Sequence, residues 1–163
     1  MIGPGLGLTS DKAAQLCHYF GRMKHAVLDA SFFTHYKPDI LKSFTVPPVL
    51  TPHVGECMTF FGLDKAQLCH NTIETVRHLA VEHGVYLLLK SASQYLGTPD
   101  GIVYVIDHPN AAAAQAGSGD LLAGLIAAQL CRGENTADAV LGGVGMFYDG
   151  IEGFLKELIK NYF

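Results

Sequence analysis

The sequence predicts an α/β fold: a largely parallel sheet with flanking helices and one β-hairpin. Three observations carry this. Short apolar runs alternate along the chain with segments of helical period. Val85-Tyr86-Leu87-Leu88-Leu89-Lys90 is a continuous apolar run, as expected for a strand covered on both faces. Tyr95-Leu96 and Ile102–Ile106 flank the turn signal Pro99-Asp100-Gly101, which predicts an antiparallel hairpin and hence a mixed sheet.

The remaining elements follow in order. Ser10 caps a helix reaching about Met23. Ala26-Val27-Leu28, ending in Asp29, and Pro48-Val49-Leu50 read as short buried strands. Asn71 and Glu74 stand at N-cap and N3 spacing, the pattern of a capping box. Ile73, Val76, Leu79 and Ala80 follow at helical spacing, and Gly84 stops that helix. Leu121–Arg132 is apolar on nearly all sides, so it is expected inside the core and ended by Gly133. Two further helices are expected over Thr136–Phe147 and Ile151–Tyr162.

Composition narrows the class. With 163 residues, 49% hydrophobic and 16% charged, the chain forms one domain, residues 1–163, and not a disordered segment. Net charge is −4 with no basic cluster, which argues against a nucleic-acid partner. Cys17, Cys57, Cys69 and Cys131 show no CxxC spacing, so neither a disulfide framework nor a zinc site is expected. No charged-then-apolar leader opens the chain, and Leu121–Ala128 falls short of the roughly 20 apolar residues of a membrane span. A cytoplasmic location without membrane contact is the expectation.

The chemistry concentrates in loops. Gly117-Ser118-Gly119-Asp120 precedes the apolar helix. Its glycines let backbone amides approach an anion, and the helix would present its positive end there. Asp120, in the first turn, is unsuited to bind phosphate. It suits taking a proton from an attacking hydroxyl, holding a substrate hydroxyl, or simply starting a helix. Gly3-Pro4-Gly5-Leu6-Gly7 forms a glycine-rich loop with only Met1 and Ile2 before it. Thr51-Pro52-His53-Val54-Gly55-Glu56 follows a strand, placing His53 and Glu56 where open α/β sheets bind ligands. Lys90 ends the strongest strand and opens Lys90-Ser91-Ala92-Ser93-Gln94; there it can reach a phosphate or lie solvated.

GPGLG, a strand ending in Asp29-Ala30, TPHVGE, LLLKSA and a downstream Asn110 with GSGD occur in the order seen in the ADP-dependent NAD(P)H-hydrate dehydratases. The sequence resembles that family over about residues 2 to 145. The resemblance implies a ribokinase-like fold and a repair reaction: dehydration of hydrated NADH or NADPH coupled to hydrolysis of ADP, or of ATP in some members. It implies that Gly5, His53 and Asp120 contact the hydrated dinucleotide, with Asp120 as catalytic base. It implies that Lys90, Ser91, Ala92, Ser93, Gln94, Gly117, Ser118 and Gly119 hold the adenine nucleotide, with Asn110 near its phosphates and Mg²⁺.

Several positions depart from the family pattern. Ser31 stands at a usual Asp, Ala112 at a usual Gly and Gln115 at a usual Thr, while Asp149-Gly150 replaces a His-Gly pair. Opening strands and helices of the family domain are missing before Met1, so the expectation is an N-terminally truncated version whose exposed sheet edge favours a homo-oligomer. Two other functions remain open at this point: a small-molecule kinase of the same superfamily, and a non-catalytic nucleotide-binding remnant.

Overall fold

The computed structural model describes residues 1–5, 7, 9–107, 117–133 and 135–162, with backbone alone at 10 and 151–162. Five strands form one sheet in the order β1-β2-β3-β4-β5: Val27–Leu28, Val49–Leu50, Tyr86–Leu89, Gln94–Gly97 and Val103–Ile106. The first three are parallel; β4 and β5 run antiparallel through the expected hairpin, pairing Tyr95 with Val105 and Leu96 with Tyr104. Gly101 turns it with φ +88°, a conformation open to glycine. Ile2 extends the sheet past β1 by a single parallel bridge to Leu28.

Alternation along the strands sorts the core into two layers. Leu28, Leu50, Leu87 and Leu89 face α1 (Ser10–Phe20), α2 (Phe32–His35), α3 (Val54–Phe61), α4 (Lys65–His70) and α5 (Thr72–His83). On that side Phe20, Phe32, Tyr36 and Phe44 form an aromatic cluster with ring centroids 4.7–6.2 Å apart. Val27, Val49, Leu88 and Leu96 face α6 (Ser118–Leu130) and α7 (Thr136–Tyr162). Leu87, Leu88 and Leu89 are at most 1% exposed, so β3 is the doubly covered strand that its apolar run predicts.

Four local expectations need correction. Helix α1 is capped by Thr9 and ends at Phe20, because Gly21 begins a turn whose amide returns to Tyr19. Asn71 and Glu74 form no capping box: Asn71 is at once the last cap of α4 and the first of α5, with φ −133° and ψ 47°, and its side chain makes no cap bond. Glu74 instead pairs with Arg77. Capping boxes occur at His53/Glu56 and Asp64/Gln67, starting two helices that the sequence pattern did not reveal. Finally, the two terminal helices are one: α7 runs through Asp149-Gly150 for 27 residues. Among the described residues no helix is long and apolar enough to cross a membrane.

Helices α6 and α7 pack closely because α7 carries glycines on the contact face. A Cβ at Gly143 would lie 2.8 Å from Ile126 Cγ1 and 3.0 Å from the α6 backbone, whereas one at Gly145 would meet nothing within 4 Å. Gly143→Ala is therefore expected to destabilise the fold by about 1–3 kcal/mol through overpacking. Gly145→Ala is expected to be neutral or to stabilise by up to about 1 kcal/mol through helix propensity. Urea unfolding of both variants checks this; equal effects would contradict the packing account.

Burial also fixes a pH response. The Cys57 thiol is fully buried, and loss of solvation pushes it from 9.0 up to about 12. Burial pushes the Tyr36 hydroxyl up to about 12 as well, with Cys17 beside it adding to the shift. A folded pKa above the unfolded one means that the unfolded chain releases its proton first. The stability is thus fully present below pH 9 and is lost as pH rises toward 12. Cys57 alone gives a slope of about 1.4 kcal/mol per pH unit across that window. Unfolding free energies measured on the alkaline side are expected to fall from about pH 9, and less steeply in Cys57→Ala.

Candidate active site at the carboxyl edge of the parallel strands

The alternation that builds the core continues past the strand ends. Val27 faces α6, so Asp29, two residues on, faces α6 as well; Leu88 does the same for Lys90. Asp29 is 1% exposed, and Lys90 Nζ donates to its Oδ1 at 2.7 Å, reaching across β2 to do so. Lys90 is held at its backbone too: its amide donates to the Pro52 carbonyl at 2.8 Å, and it bridges His53 in parallel register.

Helix α6 closes this corner. Gly117, its N-cap, takes φ +85°, so the chain turns sharply into a 13-residue helix. Gly119 then lies directly on the ion pair: a Cβ there would sit 3.3 Å from Lys90 Nζ and 3.8 Å from Asp29 Oδ2. The amides of the first helical turn have no partners within the helix and carry its positive dipole. An ammonium and a helix N-terminus therefore share one corner, an arrangement whose chemistry suits an anion. Asp120 follows on the exposed side of the same turn.

The loop from β2 into α3 is equally ordered. His53 is the N-cap of α3; its Nδ1 accepts the Glu56 amide at 3.1 Å, and Glu56 Oε2 accepts the His53 amide at 2.9 Å. Because Nδ1 acts as acceptor, the neutral ring carries its proton on Nε2. The His53 side chain is 60% exposed, so it is oriented by the cap yet open to a ligand. On the other side of β1, Gly3 has φ +133° and would drive a Cβ to 1.6 Å from the Asp29 carbonyl, so only glycine passes there. Ser31 Oγ donates to the Gly3 carbonyl. Gly5 lies on the exposed turn just beyond, with φ +66°.

Of the residues singled out in the sequence, the structure brings Lys90 and Gly119 into contact and sets His53 beside Lys90. Gly117, Ser118 and Asp120 share the same helix start. Ser91, Ala92 and Ser93 form the bend between β3 and β4, where Ser93 Oγ donates to Asp107 at 3.1 Å. Gln94 lies elsewhere: it is 5% exposed and its amide donates to the Tyr148 hydroxyl of α7 at 2.9 Å. Asn110, Ala112 and Gln115 lie outside the described residues.

Asp29 itself was not among the candidate site residues. Its signal was present, a carboxylate closing a buried strand, the same position that drew attention to His53. Next to it Ala30 adopts φ +49°, the one described non-glycine residue in the left-handed region. Such strain persists where surrounding contacts over-determine the backbone.

The sequence profile of the NAD(P)H-hydrate dehydratases matches residues 1–147. The chain belongs to this family. The ADP-dependent (S)-NAD(P)H-hydrate dehydratase of Xanthomonas campestris is 32% identical over 145 residues, 88% of this chain and 49% of that protein. The bifunctional NAD(P)H-hydrate repair enzyme of Thermofilum pendens is 32% identical over 155 residues, 93% of this chain and 29% of that protein. Among solved structures, the ADP/ATP-dependent NAD(P)H-hydrate dehydratase of Bacillus subtilis, co-crystallised with ATP/Mg²⁺, superposes with TM-score 0.81 at 28% identity. It covers 96% of this chain and 55% of that one. A pyridoxal kinase of Bacillus subtilis, 16% identical with TM-score 0.67, shares the ribokinase-like fold alone. The chain thus spans about half the length of a single-activity relative and under a third of a bifunctional one.

Proposed function

We propose that this chain carries the nucleotide and hydrate site of an ADP- or ATP-dependent NAD(P)H-hydrate dehydratase, a carbon–oxygen lyase. The observation that supports it most is the corner where Gly119 packs on the Asp29–Lys90 pair beneath the α6 N-terminus. A nucleotide's terminal phosphate fits that corner: Lys90 and the amides of Ser118, Gly119 and Asp120 supply the donors. Ser91 to Ser93, Gly117 and Asn110 complete the nucleotide side, and Gly5 and His53 the dinucleotide side.

In this reading Asp120 takes the proton from the hydroxyl of the hydrated ring as its oxygen attacks the terminal phosphorus. The bond from that phosphorus to the rest of the nucleotide breaks. The phosphorylated oxygen then leaves as phosphate while the neighbouring ring carbon loses a proton, and the ring double bond is restored. Donors aimed at the phosphate stabilise the charge that builds in the first step.

Among the described residues no group of three or more His, Cys, Asp or Glu side chains gathers to hold a metal. Mg²⁺ fits here as a companion of the phosphates, which supply most of its oxygen ligands; when bound it neutralises phosphate charge. We further assign the protein to the cytoplasm, a reading that the four free cysteines support. Among the described residues no strand pairs with the outer edge of β5, and Ile102, Tyr104 and Val105 are exposed, which supports self-association into a homo-oligomer.

The test combines turnover with binding. NADPH hydrate with ADP and Mg²⁺ is expected to be converted to NADPH, and Asp120→Asn to abolish that turnover. Calorimetry is expected to keep ADP affinity in the variant within about tenfold, or about 1.4 kcal/mol. Unchanged turnover would remove Asp120 from the chemistry. If neither ADP nor ATP bound at all, a nucleotide site would be ruled out for this chain.

A further inference from the structure

The proposed reading gives Asp29 no task, yet it is the most buried carboxylate at this edge and the only acid that touches Lys90 among the contacts described. Its backbone is clamped from both sides. The Asp29 amide donates to the Ile2 carbonyl at 3.0 Å, and its carbonyl accepts the Phe32 amide at 3.1 Å across the left-handed Ala30. The carboxylate is therefore rigid, and the flexible partner is the lysine.

We infer that Asp29 is a positioning residue: it holds the Lys90 ammonium against the first turn of α6, so that this cation and the α6 amides face one phosphate together. The inference rests on the reading of that corner as a phosphate site. A free lysine side chain gives up rotamer entropy when it is fixed, and here Asp29 holds it before the ligand arrives. An ammonium carries three donor hydrogens, so one bond to Asp29 leaves two for a phosphate. Gly119 leaves the ammonium room, since a Cβ there would sit 3.3 Å from Lys90 Nζ and crowd it.

Other charged groups border the corner. His53 joins Lys90 through the β2–β3 bridge, Asp120 follows Gly119 on α6, and Asp107, next to β5, accepts a hydrogen bond from Ser93. None of these has a described contact with the Lys90 ammonium, so Asp29 is its counter-charge.

The test is calorimetric titration of ADP with Mg²⁺ into the whole chain and into Asp29→Asn, Asp29→Glu, Lys90→Met and the double variant Asp29→Asn/Lys90→Met. Asp29→Asn is expected to bind ADP about tenfold more weakly, or about 1.4 kcal/mol. Asp29→Glu keeps the charge; it is expected to bind ADP more tightly than Asp29→Asn and more weakly than the parent, and it serves where Asp29→Asn does not fold. The double variant is expected to bind no more weakly than Lys90→Met, since Asp29 acts through the lysine. Affinity in Asp29→Asn that equals or exceeds that of the parent would overturn the inference, showing that the carboxylate masks the ammonium. Losses that simply add in the double variant would overturn it too. A parent chain that binds neither ADP nor ATP would instead overturn the phosphate reading beneath it.

Discussion

The ion pair between Asp29 and Lys90 is the contact on which the carboxyl edge of this sheet depends. The two residues end strands that are separated by β2, roughly 9–10 Å from β1 to β3, and only a long side chain can close that gap. Asp29 is almost wholly buried, so neither charge can be dispensed with alone: removing one partner of such a pair typically costs about 3–5 kcal/mol, because the other is left uncompensated. The start of α6 lies against the pair as well: a Cβ at Gly119 would sit 3.3 Å from Lys90 Nζ, close enough that the ammonium would have to give by a few tenths of an ångström.

Two neighbouring features fit the same constraint. Gly3 lets the N-terminal loop pass within contact of the Asp29 backbone, and Ser31 donates to the Gly3 carbonyl. The resemblance to the family leads one to expect an Asp where this chain has Ser31. An ionised carboxylate accepts hydrogen bonds and cannot donate one, so it could not make the bond that Ser31 makes. The substitution therefore ties the GPGLG loop to the end of β1 directly through a side chain.

Much of this was legible in the sequence, and for physical reasons. A doubly buried strand needs an unbroken apolar run, which Val85–Leu89 displays. A hairpin needs turn chemistry, which Pro99-Asp100-Gly101 supplies. The GSGD turn showed its conformation, because a glycine ahead of an apolar helix can take the positive φ that bends the chain sharply into it. The helix starts at His53 and Asp64 were harder to see. One uses a histidine nitrogen in place of the usual hydroxyl or carboxylate oxygen, and the other serves a six-residue helix too short to show a period. Asn71 and Glu74 misled because the cap pattern is local, while the backbone at Asn71 is fixed by the helix that ends there. The Asp29–Lys90 contact joins residues 61 apart and had no sequence signal beyond two strand ends. Gln94 falls in a stretch whose family resemblance points to nucleotide; the alternation of β4 turns it inward to Tyr148.

The central claim is that an anion occupies the corner formed by Lys90 and the start of α6. The most direct measurement is a titration of the isotopically labelled chain with ADP and Mg²⁺, followed by backbone amide resonances. The account predicts that the largest shifts fall on Gly117, Ser118, Gly119 and Asp120, with Asp29 and Lys90 next. Shifts confined to other surfaces, such as the groove between α4 and α5 lined by Leu63, Gln67 and Leu79, would contradict it.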